Sequence, residues 1–217
     1  MKFRSYLLFF TLILISTHWV GCSGDRVNEN DPAALFQDAE DNIKHDRYQL
    51  ALDRLRIVKN KFPYSKLAAE AQLRIADVYF LQENYGEAAL SYQTFKDLHP
   101  KHEKISYAML RVGKSYEEDT PTNVHRDLTS AQKGIDAYSE YIRAYPNSPE
   151  TPAAKKSVEK LRTRLAQKEL LIANFYYRND QFDSARGRYQ KLIDLYSETE
   201  PAKEALTKIS KIDGMAK

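Results

Sequence analysis

One cysteine, one tryptophan and seven glycines are all that this sequence of 217 residues offers of three residue types that organise many exported folds and catalytic loops. A lone cysteine cannot cross-link its own chain, so a disulfide framework is excluded. The few glycines form no P-loop and no Gly-rich phosphate loop, and no nucleophile elbow presents a serine. Charge of one sign is also scarce: 33 basic and 30 acidic residues nearly cancel, and no basic block is interleaved with aromatics, which argues against a nucleic-acid partner. No stretch alternates polar and apolar residues long enough to predict a strand. The histidines beyond the first segment scatter. His45 and His125 fall in turns, and His99-Pro100-Lys101-His102 has no cysteine or positioned acid beside it, so it reads as a solvated turn. Glu117-Glu118-Asp119 reads as a solvent-facing helix end. No metal, cofactor or catalytic residue is expected.

The amino terminus carries a clear pattern. Lys2 and Arg4 precede the apolar run Tyr6–Ile15, which fits a secretory signal and is too short to span a bilayer comfortably. Val20-Gly21-Cys22-Ser23 follows, and this arrangement resembles a bacterial lipoprotein signal, although Trp19 stands where an aliphatic residue is usual. Residues 1–21 are then the signal peptide and Cys22 the lipidated first residue of the mature chain. Several acyl chains anchor a protein stably without a transmembrane helix, each buried methylene contributing about 0.8 kcal/mol. Ser23 in second position favours the outer membrane. The polar segment 22–32 reads as a flexible tether, and 33–217 as one folded domain.

That domain repeats. Phe62-Pro63-Tyr64-Ser65, His99-Pro100-Lys101-His102, Tyr145-Pro146-Asn147-Ser148 and Tyr196-Ser197-Glu198-Thr199 align as chain turns. At matched offsets before them stand the small residues Ala51, Ala88, Gly134 and Ala185, then Leu55, Tyr92, Tyr138 and Tyr189, then Val58, Phe95, Tyr141 and Leu192. Steps of three and four residues define one helical face. An earlier helix in each unit carries Phe36, Leu73, Leu110 or Leu170, followed three residues later by Ala39, Ala76, Gly113 or Ala173. This is the tetratricopeptide pattern, whose usual period is about 34 residues. The third unit is longer by an enlarged turn within Glu117–Leu128, and the fourth by a first helix running from Ala153 to about Tyr177. Pro201–Met215 reads as the closing helix that a solenoid needs. The expected fold is all-α: about four to five helix-turn-helix units with a closing C-terminal helix.

Tyr92, Tyr138, Tyr141 and Tyr189 fall at packing positions, with their hydroxyls expected at the rim. Tyr79, Tyr116 and Tyr176, three residues after the small positions, together with Arg74, Arg111 and Asn42, are candidates for gripping an extended peptide.

The lipoprotein start Gly21-Cys22-Ser23-Gly24, the Phe62-Pro63-Tyr64 turn, His102 to Gly113, Arg126-Asp127, Tyr145-Pro146-Asn147-Ser148 and the helix around Leu161-Arg162-Thr163-Arg164-Leu165-Ala166 together resemble the BamD family of the β-barrel assembly machinery, across nearly the whole chain. The enlarged third-unit turn and long fourth-unit helix are features of that family. The resemblance implies a non-catalytic scaffold on the periplasmic face of the outer membrane. Its C-terminal repeats would dock the last POTRA domain of BamA through Arg188, with Arg186 and Tyr189 beside it. Its N-terminal repeats would receive unfolded outer-membrane β-barrel proteins through Phe62, where Tyr is commoner, and Arg74, Tyr79 and Tyr116, peptide-gripping candidates by their repeat positions, would add to that contact. The sequence ends soon after the closing helix, without the extension of some members, which leaves contacts to accessory lipoproteins open. The alternative reading is a repeat adaptor of cell-envelope coordination that binds a Tol-Pal or peptidoglycan-linked partner.

Overall fold

The computed structural model describes residues 27–215, so the signal peptide and Cys22 lie outside the described residues. Those residues form nine helices and no strand: α1 (Pro32–Lys44), α2 (Tyr48–Lys61), α3 (Lys66–Leu81), α4 (Tyr85–Leu98), α5 (Ile105–Asp119), α6 (Thr129–Ala144), α7 (Thr151–Arg178), α8 (Phe182–Tyr196) and α9 (Glu200–Met215). Each helix packs on the next, and α1 also meets α3, α5 meets α7 and α7 meets α9. The first helices of successive units therefore lie side by side. Four helix pairs and a closing helix make a tetratricopeptide-repeat solenoid. Among the described residues no helix is long and apolar enough to cross a membrane.

Two kinds of turn alternate, and each is set by local chemistry. After α1, α3 and α7 the chain closes in a Schellman turn. The N–H groups of Arg47, Asn84 and Gln181 return to the carbonyls of Asn42, Tyr79 and Tyr176 at 2.8, 3.0 and 3.1 Å. The residues before them, Asp46, Glu83 and Asp180, sit in the left-handed region with φ of 56°, 60° and 58°, where glycine is the usual occupant. Between units, Phe62, His99 and Tyr145 each donate a backbone hydrogen bond four residues back, and Pro63, Pro100 and Pro146 then forbid continuation of the helix. Asp31 caps α1, accepting from the Ala33 N–H at 2.9 Å, and Ser65 caps α3 by accepting from Leu67 at 3.2 Å.

The small residues are where helices come closest. Ala39, Ala76 and Ala173 of the first helices and Ala51, Ala88 and Ala185 of the second are wholly buried. A Cβ placed on Gly113 would stand 2.7 Å from the Tyr138 ring, and one on Gly134 would stand 2.9 Å from the Leu161 side chain. Tyr92, Tyr138, Tyr141 and Tyr189 fill the space so made and are buried. Each hydroxyl, expected at the rim, is hydrogen-bonded. Tyr92 donates to Asp77 at 2.5 Å, Tyr138 to Glu117 at 2.8 Å and Tyr189 to Asn174 at 2.5 Å, while Tyr141 and Ser148 share a bond of 2.8 Å.

The two departures from a regular repeat touch each other. The long helix α7 starts two residues before the expected Ala153. Its first half joins the core of the third unit through Ala154 and Leu161, and its second half builds the last core through Ala166 and Ala173. The enlarged turn between α5 and α6 lies against α7. Arg164 donates to the carbonyls of Thr120 and Pro121 at 3.2 and 3.3 Å, and Lys168 donates to that of Arg126 at 2.7 Å. Residues 27–31, expected to belong to the flexible tether, are pinned: Lys61 donates to the Glu29 carbonyl at 3.0 Å and to the Asn30 side chain at 2.7 Å.

Gly113→Ala should destabilise the protein by ~1–3 kcal/mol, because the buried Tyr138 ring has nowhere to move. A denaturant midpoint equal to wild type would refute the close-approach account. Glu83→Gly should act oppositely: relief of a left-handed residue, ~1–2 kcal/mol, exceeds the added chain entropy of glycine, ~0.5–1 kcal/mol. The same denaturation experiment should show a small gain in stability.

Candidate functional site

The first helices of three units frame a groove of about 490 Å³ lined by Phe36 and Glu40 of α1, Glu70, Leu73, Arg74 and Asp77 of α3, and Tyr107 of α5, with Lys104 at its rim. Its polar walls are linked from unit to unit. Arg74 forks onto both oxygens of Glu40, at 2.6 and 2.9 Å, and reaches Asp77 at 3.3 Å. Lys104 pairs with Glu70 at 2.5 Å. Both Glu40–Arg74 and Glu70–Lys104 are separated by 34 residues, so each pair links one first helix to the next unit. A bidentate Arg–carboxylate pair holds its geometry better than a lysine pair does.

Behind that wall stands an aromatic and cationic stack. The Arg111 guanidinium lies 3.7 Å from the Phe80 ring centroid and its Nε donates to the Tyr92 hydroxyl at 3.0 Å. Tyr92 and Tyr107 both donate to the same Asp77 oxygen, the latter at 2.7 Å. Burial and the adjacent Asp77 charge push Tyr107 up to about 12 and drive Tyr92 higher still. Both phenols therefore stay neutral donors. The Tyr107 ring remains 42% exposed, so the groove presents an aromatic face with a tethered hydroxyl. Such a surface suits an uncharged, extended segment, because its own cations are already matched by carboxylates.

The candidate peptide contacts do not form one surface. Arg74 lines the groove, but Tyr79 lies on another side of α3, where its hydroxyl accepts from Arg56 at 3.0 Å beside Gln72 and Ile75. Tyr116 packs toward the α6 side, with the Lys133 ammonium 5.6 Å from its ring, and Phe62 is half-buried against the first core. Tyr176 packs against the last core. Asn42 is buried and donates to the Asp38 carbonyl at 2.7 Å, which removes it as a contact. Tyr107, Lys104, Glu40, Glu70 and Asp77 were not singled out in the sequence. The signal available was charge complementarity recurring at a spacing of 34 residues.

In the C-terminal units Arg188 is partly exposed and lies 3.5 Å from Glu169, which also receives Lys191 at 3.0 Å. The Oε2 atom of Glu169 has no hydrogen-bond partner among the described residues. A carboxylate approaching Arg188 would compete with a weakly satisfied one. Arg186 is exposed and pairs with Asp213 at 3.0 Å. Tyr189 corrects the expectation: it is wholly buried against Tyr177 and the last core, and has no surface to offer a partner.

Two further expectations change. His99 and His102 are not merely solvated, since both rings lie 5.1 Å from Phe95 and His99 meets Gln72 at 3.2 Å. Burial, with His102 nearby, lowers the His99 pKa. Glu117 is not solvent-facing either. It is buried where α5, α6 and α7 meet, accepting from Tyr138 and from Lys160, both at 2.8 Å. Burial alone would raise its carboxyl, but hydrogen bonds from Lys160, Tyr138 and Ser157 outweigh that and pull it down to about 2.

The repeated helix pairs, with a groove between their first helices, define a tetratricopeptide-repeat protein. The family model described as YfiO, outer membrane lipoprotein, matches residues 28–213, and the chain belongs to that family. Relatives include the outer membrane protein assembly factor BamD of Vibrio cholerae, 24% identical over 86% of this chain and 82% of that one. BamD of Neisseria meningitidis is 27% identical over 79% of this chain and 68% of that one. Among solved structures, a tetratricopeptide repeat protein from Parabacteroides merdae is similar over 84% of this chain and 60% of that one, with 16% identity and a TM-score of 0.44. The TPR2AB domain of yeast Sti1 in its pHSP90 complex is similar over 82% of this chain and 70% of that one, with 14% identity and a TM-score of 0.47.

Glu117 binds its proton less readily in the folded chain than in the unfolded one, where 4.5 is the ordinary value. Its stabilising contribution is complete above pH 4.5 and is lost as pH falls toward 2. Glu117→Gln should cost ~1–3 kcal/mol at neutral pH, leaving Lys160 without its partner, and should flatten the acid limb of stability against pH. Denaturant unfolding at several pH values checks this; an acid limb unchanged by the substitution is the contrary result.

Proposed function

We propose that this chain is a non-catalytic scaffold that promotes assembly of outer-membrane β-barrel proteins, anchored to the periplasmic face of the outer membrane by acyl chains on Cys22. The observation that supports this most is agreement over nearly the whole chain: the match to a family of outer membrane lipoproteins over residues 28–213, and relatives named as assembly factors that align along most of their own length. Under this reading residues 1–21 are removed and the segment after Cys22 ties the fold to the bilayer. The groove between the first helices receives an extended, largely uncharged part of an unfolded barrel protein. Arg74 and Tyr107 shape that groove.

The C-terminal units dock the last POTRA domain of BamA. Arg188 would meet a carboxylate there in exchange for Glu169, and Arg186 would lie beside it. Burial in the contact gives such a pair its strength, since reversing or truncating one partner of a buried ion pair commonly costs ~2–5 kcal/mol.

Affinity purification from solubilised outer membranes should recover BamA with the wild-type chain. Arg188→Glu should lose most of that recovery while helical content, read by circular dichroism, stays the same. Recovery of a Tol-Pal or peptidoglycan-linked protein in place of BamA would overturn this assignment in favour of an envelope-coordination adaptor.

A further inference from the structure

We propose that the edge of the solenoid formed by its first two inter-unit turns docks on an anionic phospholipid bilayer, so that the membrane orients the scaffold as well as holding it. This rests on the reading that Cys22 is acylated.

The chain leaves the described fold at this edge. Val27 packs on the first core, Lys61 clamps Glu29 and Asn30, and Arg54 lies 3.5 Å from Glu29. The exit is thereby fixed at the end of α2, next to the turn Phe62–Ser65. Five residue steps separate Cys22 from Val27, and a fully extended chain covers ~18 Å in that number. Whatever path those residues take, this edge stays close to the headgroups.

The chemistry of the edge fits that position. Lys59, Lys66 and Lys101 line a shallow groove of about 920 Å³ between the two turns. None of the three has a carboxylate within 4.0 Å among the described residues, and Lys61 binds only carbonyl and amide oxygens. Of the two acids on the groove, Glu70 is matched by Lys104 and His102, which leaves Glu103 alone against the lysines. Tyr64 is fully exposed and Leu98 is 64% exposed at the same edge. An aromatic with a polar tip and an aliphatic side chain among lysines is the composition that settles at a membrane–water interface. The third turn is flanked by Arg143, Lys155 and Lys156 as well as Glu150, and near the fourth Glu198 and Glu200 pair with Arg162 and Lys203, so it is nearness to the exit that singles out the first two turns. An acidic protein segment would satisfy the lysines equally well. The short connection to the acylated residue selects the bilayer, because each lysine within a Debye length of an anionic surface strengthens association about fivefold.

The test uses lipidated protein whose amino-terminal mass is determined first. It is reconstituted in phosphatidylcholine vesicles with or without phosphatidylglycerol, carrying a fluorophore at Leu98→Cys or, on the far edge, at Glu83→Cys. A quencher on the headgroups should reach position 98 more strongly when phosphatidylglycerol is present and should leave position 83 unaffected. High salt, or Lys59→Glu with Lys66→Glu and Lys101→Glu, should abolish the difference. Equal quenching at both positions, or a contrast indifferent to lipid charge, salt and the lysines, overturns the proposal. If the mass shows no acyl chains, the anchoring reading fails separately. The same protein is then sedimented with the same vesicles, where the triple variant should bind ~100-fold more weakly; equal binding overturns the docking edge on its own.

Discussion

The closest helix–helix approaches, at residues without side chains to spare, hold the rest of this structure in place. At Gly113 a single methyl group would enter the Tyr138 ring, and at Gly134 it would meet Leu161. The equivalent alanines in the other units are fully buried. Close approach makes room for large side chains, and where these are tyrosines, in the second, third and fourth units, they bring hydroxyls into the interior. A buried hydroxyl needs a partner, because leaving it unbonded costs on the order of 1–3 kcal/mol. Asp77, Glu117 and Asn174 meet that need. The polar network of the solenoid is thus a consequence of its packing.

The same logic shapes the groove. Asp77 is held by Tyr92 from behind and by Tyr107 from the open side, so the wall that faces solvent is braced by the core. Glu40–Arg74 and Glu70–Lys104 then tie consecutive first helices together. The half-exposed pairs contribute little stability individually. Their effect is to leave a surface with few unmatched cations, in contrast to the lysines beside the chain's exit. One scaffold therefore carries a neutral aromatic groove and a basic edge within its first three units.

The enlarged turn and the long α7 act as one feature. Arg164 and Lys168 hold carbonyls of the turn, while α7 shares its length between the third and fourth cores. A solenoid is normally coupled only through neighbouring repeats. Here a single helix belongs to two cores, which couples the third unit to the fourth more firmly than separate helices would.

Periodicity alone was sufficient to find the four units, the small-residue seam, the position of the insertion and the extension of α7 to within two residues. Each is a matter of spacing along one chain, and helical geometry converts spacing into a face. Facing between helices was not legible in this way. Tyr79 and Arg74 both belong to α3 yet point into different surroundings, and Tyr189, Asn42 and Glu117 turned out to be interior. A residue's exposure depends on which neighbour covers it and how close that neighbour comes, and this is fixed only when small residues of one helix meet aromatics of another. The groove of Glu40, Arg74, Asp77 and Tyr107 exists for the same reason: its members come from three units and converge only once the repeats are stacked.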